Sequence, residues 1–240
     1  MQLPISISPN PLFISTIEIR FSTNINRLEL LQKMSSVFSK DLPILEDSKI
    51  PQELKDSEEQ FRFAADYTLK NSDYSLSFGT RSLSIEHISE YKYWATYFVF
   101  IKDCLEKVFQ LNFIEKIERC GVRYGSILDG NNNPKDILID VPKIEINNMQ
   151  SNFAGFQSVF KTNISTLFLQ ISSNAKLNKA GLIRTGFYID IDASYSKELK
   201  PNSDVFTIID TLHKDQKELF FGLLTDDFIK TLNPKYGTNN

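Results

Sequence analysis

The stretch Phe113–Tyr124, FIEKIERCGVRY, constrains this chain more than any other. From Ile117 onward it reads as an extended strand. Arg119, Gly121 and Arg123 then fall on one face, and Cys120, Val122 and Tyr124 on the other. A strand of this kind needs neighbours, and the sequence supplies them. Phe13–Phe21 alternates, with Phe13, Ser15, Ile17, Ile19 and Phe21 on one side and Ile14, Thr16, Glu18 and Arg20 on the other. Phe61–Leu69 alternates again, and Tyr74–Phe78 and Ser82–His87 read as strands or as one strand kinked at Gly79.

Helices interrupt these strands. Asn24 or Asn26 is placed to cap a helix to Phe38 carrying Leu28, Leu31, Met34 and Val37. Tyr93–Leu111 is the strongest helical pattern, with Trp94, Tyr97, Phe98, Ile101, Leu105, Val108 and Phe109 at spacings of three and four. Lys40–Gln60 reads as a polar connection with a turn or two of helix. The expected order of the first half is therefore β-α-β-β-α-β, the split ferredoxin-like order. Asp129–Pro134, DGNNNP, is the clearest break. Beyond it, Lys143–Asn147 is a candidate short edge strand. Phe156–Asn163, Thr166–Ser173 and Leu182–Ser194 predict three longer strands, joined by a polar connection at Asn174–Gly181. A long helix capped by Ser203 or Asp204 and a tail helix capped by Thr225 follow, so the second half reads β-β-β-α. The expectation is an α+β protein, antiparallel with helices packed on one face. Its halves, 1–129 and 135–240, are fused into one continuous body.

Composition removes several classes. A net charge of −3 argues against a protein that coats DNA through a basic surface. Met1–Pro11 has neither the basic start nor the apolar core of a signal peptide, and no apolar run approaches the ~20 residues of a membrane span. The reading is cytoplasmic and not membrane-associated. Cys104 and Cys120 read as buried free thiols in a reducing compartment. With His87 and His213 they lack the spacing of a zinc site. There is no G-x-S-x-G elbow, no P-loop and no G-x-G-x-x-G. No catalytic residue and no cofactor is assigned.

Three sets of residues are candidates for function. Arg20, Arg62, Arg81, Arg119 and Arg123 all fall on or beside strands of the first half, where they could line a sheet face that binds phosphate or RNA. The favoured reading of that face is nonetheless one of ion pairs, with Glu18, Asp66 and Glu118 as the acids. Asp190 and Asp192, two apart in YIDIDAS, are weak candidates for a divalent metal, the favoured reading being the polar, solvated face of a strand. Phe220, Phe221, Leu224 and Phe228 belong to an apolar stretch too wide for one stripe. Either the tail helix folds over it or it contacts a second chain.

FISTIEIRF, SLSFGTRSLSIEH, IEKIERCGVRYGSIL and LHKDQKELFFGLLTDDFIKTL together span nearly the whole chain. In order and spacing they resemble a sporadically distributed, uncharacterised bacterial family of about this length. That resemblance implies mobile, defence- or toxin–antitoxin-associated cargo, and it carries no assigned catalytic residues. The favoured expectation is a non-enzymatic binding or assembly protein in a bacterial multi-protein system. A protein partner encoded nearby or a homodimer is expected, since exposed strand edges invite pairing. The alternative is a nucleic-acid-binding protein using the arginine face, or a metal-dependent nuclease.

Overall fold

The computed structural model describes residues 2–91, 93–129, 133–142, 145–146, 149–150, 154–179, 181–202 and 204–237. The elements in order are β1 (Leu12–Thr23), α1 (Arg27–Phe38), β2 (Ile44–Asp47), α2 (Gln52–Ser57), a 3-10 turn (Glu59–Phe61), β3 (Tyr67–Lys70), β4 (Tyr74–Phe78), β5 (Ser82–His87), α3 (Trp94–Gln110) and β6 (Ile114–Asp129). There follow α4 (Pro134–Ile137), β7 (Glu145–Ile146), β8 (Met149–Gln150), β9 (Gly155–Lys161), β10 (Thr166–Lys179), β11 (Leu182–Tyr195), α5 (Asp204–Leu223) and α6 (Asp226–Thr231). Nine strands form one antiparallel sheet in the order β2-β3-β4-β5-β1-β6-β11-β10-β9, and β7 and β8 pair separately. The α+β class expected from the sequence is what the chain adopts.

The order β-α-β-β-α-β is not adopted, and three local causes account for it. Ile44–Asp47 lies in the expected polar connection and forms a strand, pairing with Tyr67–Lys70. Phe61–Leu69 is extended only from Tyr67, because Glu59–Phe61 closes a 3-10 turn instead. Gly79 divides the next stretch, its N–H donating to the Ser82 carbonyl at 2.9 Å, so β4 and β5 make a hairpin of their own. A Cβ at Gly79 would stand 3.0 Å from an Asp66 carboxylate oxygen, so a larger residue there would require its neighbours to give by a few tenths of an ångström. Through that extra reversal β1 pairs antiparallel with β5, with Ile17 opposite Ile85. In the second half β10 continues to Lys179, so most of Asn174–Gly181 is strand. Lys143, Ile144, Asn147 and Ser203 lie outside the described residues.

Two compact units are distinguished by their internal contacts. One comprises Ser15–Val122 and Ser194–Leu212. Its core is built from the inward residues of β1 (Ile17, Ile19, Phe21), the α1 stripe Leu30, Met34 and Phe38, and Ile101 and Leu105 of α3. Asn26 caps α1 by accepting from the N–H groups of Leu28 and Glu29. Tyr97 of α3 is fully enclosed and satisfies its hydroxyl by donating to the carbonyls of Ile85 (2.6 Å) and Ser15 (3.3 Å). That fixes α3 against β1 and β5.

The other unit comprises Met1–Ile14, Arg123–Ala193 and His213–Asn240. Phe187, Ile189 and Ile191 alternate on one face of β11, and Leu169 and Ile171 of β10 are also buried. Tyr188, on the other face of β11, packs with Phe13 and Ile127, bordered by Ala175 and Leu177. Ser6 bridges to Lys235, and the Ser8 N–H donates to the Leu232 carbonyl at 2.7 Å, so the two chain ends are joined in one seam.

Candidate functional site

Four of the five arginines singled out in the sequence hold carboxylates. Glu18 takes both Arg20 (2.5 Å) and Arg119 (2.8 Å). The Arg119 guanidinium lies over Gly121, which has no side chain to lift it away. Arg81 pairs with Asp56 at 2.8 Å and donates to the Lys55 carbonyl. Hydrogen bonds from Gln52 and Arg81 lower the Asp56 pKa. Arg123 grips Asp190 through Nε and Nη2, at 2.6 Å for the shortest contact. Asp190 is buried, while the Arg123 side chain is 53% exposed, so the carboxylate is withdrawn from water and the guanidinium is not.

Arg62 alone of the five has no carboxylate partner among the described residues; its guanidinium stands 5.5 Å from the centre of the Phe63 ring, and Arg20 lies 4.1 Å from that ring. Arg62 and Arg81 line a cleft of about 390 Å³ with Phe63, Thr80 and Glu118. They also line a second cleft, of about 280 Å³, in which Asp56, Glu58 and Glu59 balance Arg62, Arg81 and Lys55. Charge is locally compensated around both, which is a poor field for a polyanion. Among the acids expected to pair with arginines, Asp66 instead holds the buried Lys55 at 2.7 Å, and Glu118 lies 3.7 Å from Lys116.

Asp190 is occupied by Arg123, and among the described residues no group of three or more His, Cys, Asp or Glu is arranged to hold a metal ion. Burial pushes both Cys104 and Cys120 up to about 12, the wrong direction for a nucleophilic thiolate. His213 is driven down to about 3, first by burial and then by the Lys217 charge. Among the described residues no helix is long and apolar enough to cross a membrane.

The aromatic stretch of the C-terminal helices is packed within the chain. Phe220 and Phe221 are 6% and 5% exposed and meet edge to face at 5.2 Å, and Leu224 is buried. The Ile139 N–H donates to the Leu223 carbonyl and the Thr225 N–H to the Ile137 carbonyl. Thr225 caps α6, and Phe228 is half-buried.

The surface that remains apolar is elsewhere, on the last strand of the sheet. β9 pairs with β10 on one side and, among the described residues, with nothing on the other. Val159 (54% exposed) and Phe168 (40%) sit opposite each other on the open face, and Phe160 (40%) overhangs the covered one. Ile164 in the turn is also exposed. The turn itself is rigidly held: Ser165, 2% exposed, donates to Asp215 of α5 at 2.5 Å, and Thr162 shares that carboxylate. The sequence signal for this edge was a strand, GFQSVFK, with no acid, no proline and one terminal lysine.

The fold and its surfaces define an α+β protein with a long antiparallel sheet that ends, among the described residues, in an edge strand carrying exposed apolar side chains. No protein-family profile and no curated protein matches the chain.

Proposed function

We propose that this chain is a non-enzymatic binding and assembly protein that joins other protein by adding strands to its sheet. The observation that carries the reading is the outer edge of β9, which among the described residues pairs with no other strand and is flanked by the exposed side chains of Val159, Phe160 and Phe168. Such edges are ordinarily blunted by charge, proline or a bulge. In β9 the only charge is Lys161 at its end. The setting is a bacterial multi-protein system of the mobile, defence-associated kind that the sequence resemblance implies.

The nucleic-acid reading draws less support, because Arg20, Arg81, Arg119 and Arg123 are each engaged by a carboxylate, Arg20 and Arg119 sharing Glu18. What favours it is confined to Arg62 and its cleft. Affinity capture from the native host, with the chain and with a β9-edge variant, tests the assembly reading. Edge-dependent recovery of stoichiometric protein, whether other copies or a neighbouring gene product, is the expected result. Equal recovery with both, together with salt-sensitive RNA or DNA binding lost in Arg62→Ala, would overturn it.

A further inference from the structure

We infer that the partner at the β9 edge is a second copy of this chain, docked antiparallel about a two-fold axis through Ser158. The inference rests on the assembly reading above and deepens it by naming the partner and the register.

The backbone fixes which groups of β9 face outward. The Thr162 N–H donates to the Ser165 carbonyl, and the Ala154 carbonyl accepts from the Ser173 N–H. Both pairs continue the β9–β10 register, in which Phe160 faces Leu167, Ser158 faces Leu169 and Phe156 faces Ile171. Hydrogen-bonded pairs in an antiparallel ladder recur at every second residue. Phe156, Ser158 and Phe160 therefore direct their N–H and C=O groups to β10. Gly155, Gln157, Val159 and Lys161 direct theirs to the free edge.

A two-fold axis at Ser158 pairs these outward residues with one another: Gly155 with Lys161 of the second copy, and Gln157 with Val159. No outward group of β9 is left over, and the four pairs exchange about eight hydrogen bonds. The side chains agree with that register. Phe156 comes opposite Phe160, which covers the exposed part of the Phe160 ring. Lys161 comes opposite Gly155, whose lack of a side chain leaves the lysine stem room to lie flat. Gly155 cannot be larger in any case, since its Cβ would run into the Ile171 carbonyl. The two Lys161 ammonium groups sit at opposite ends of the seam, about 20 Å apart along the strand direction. That is well beyond the screening length at physiological salt. A parallel, in-register arrangement would instead put them side by side. An edge with one positive end and a glycine at the other is self-complementary only when antiparallel.

Sedimentation velocity over a wide concentration range tests the proposal. The full chain should move from a 27.6 kDa species to one of twice that mass. Val159→Pro removes only outward N–H groups, one from each copy, so the β9–β10 ladder keeps its bonds. It should weaken the dimer by roughly tenfold to a hundredfold with unchanged circular dichroism. Ser158→Cys reports the register without relying on proline being tolerated. It should form a disulfide-linked dimer under mild oxidation, while Val159→Cys, which does not face itself, should not. A monomer at every concentration overturns the proposal, and so does equal crosslinking of the two cysteine variants. If that monomer still captures a neighbouring gene product through β9, the assembly reading stands and only the choice of partner fails. Loss of both would remove both.

Discussion

Lys55→Met should be among the most damaging single changes in this protein. Lys55 projects from the short helix α2 and meets Asp66 at 2.7 Å, and both side chains are 4% exposed. The ammonium also donates to the Ala65 carbonyl at 2.7 Å. Methionine fills similar space and leaves the Asp66 carboxylate buried. Its remaining cation is Arg27, whose Nε stands 3.5 Å away without making a hydrogen bond. Breaking a buried pair from one side costs about 3–5 kcal/mol, and the Arg27 charge sets the expectation at the lower end, about 3 kcal/mol. The double change Lys55→Met with Asp66→Asn removes the stranded charge and should recover about 1–2 kcal/mol of that loss. Urea unfolding followed by Trp94 fluorescence is the assay, since the single tryptophan donates its indole N–H to Asp210 within the same compact unit. A Lys55→Met variant within about 1 kcal/mol of wild type, or a double variant no better than the single, would refute the reasoning.

Gly125→Ala should destabilise by about 1–3 kcal/mol, because its Cβ would intrude on the Tyr188 hydroxyl and push that ring out of its packing with Phe13 and Ile127. Gly121→Ala, which meets only the movable Arg119 guanidinium, should cost less, and thermal melts of the two variants should rank them in that order. Phe220→Ala and Phe221→Ala should each cost about 3–5 kcal/mol, with melting temperatures lowered at every protein concentration. His213 makes stability fall with acid: its folded pKa of about 3 lies below the unfolded value of 6.5, so the unfolded chain binds the extra proton. That contribution is complete above pH 6.5 and declines toward pH 3, at up to about 1.4 kcal/mol per pH unit. Urea titrations at several pH values should show a flatter slope in His213→Gln.

Helices were legible where a cap or a stripe announced them. Asn26 and a stripe through Met34 mark α1, although Leu28 of that stripe is 61% exposed and Leu30 is buried in its place, and the aromatic row from Trp94 marks α3. Strands were legible where one face was buried, as in β1 with its strict alternation of buried and half-buried residues. β2 was invisible because all four of its residues are exposed, which leaves an edge strand no hydrophobic period to show. The distal part of β10 was hidden by its polar composition, although Ala175 and Leu177 carry the alternation into the cluster around Tyr188. Phe61 and Phe63 suggested a strand by spacing alone. Their rings are used otherwise, Phe63 as a surface for Arg20 and Arg62, and tertiary contacts override the pattern. Of the candidate arginines, Arg20, Arg119 and Arg123 lie on strands as expected and Arg81 just before β5, but Arg62 sits in the turn after Glu59–Phe61. Their partners were not legible, because Glu18 reaches Arg119 across a separation of 101 residues that no local pattern encodes.

The seam between Ser6 and Lys235 encloses almost the entire chain. Closing so large a loop costs about 3–4 kcal/mol more entropy than closing a four-residue hairpin such as the one between β9 and β10. The seam therefore forms after the local hairpins in folding. It is also the first element to feel tension applied to the two ends. Pulled from its termini, the molecule would part at Ser6–Ser8 and Leu232–Lys235 before any strand of the large sheet was loaded, which makes this seam its mechanical clasp.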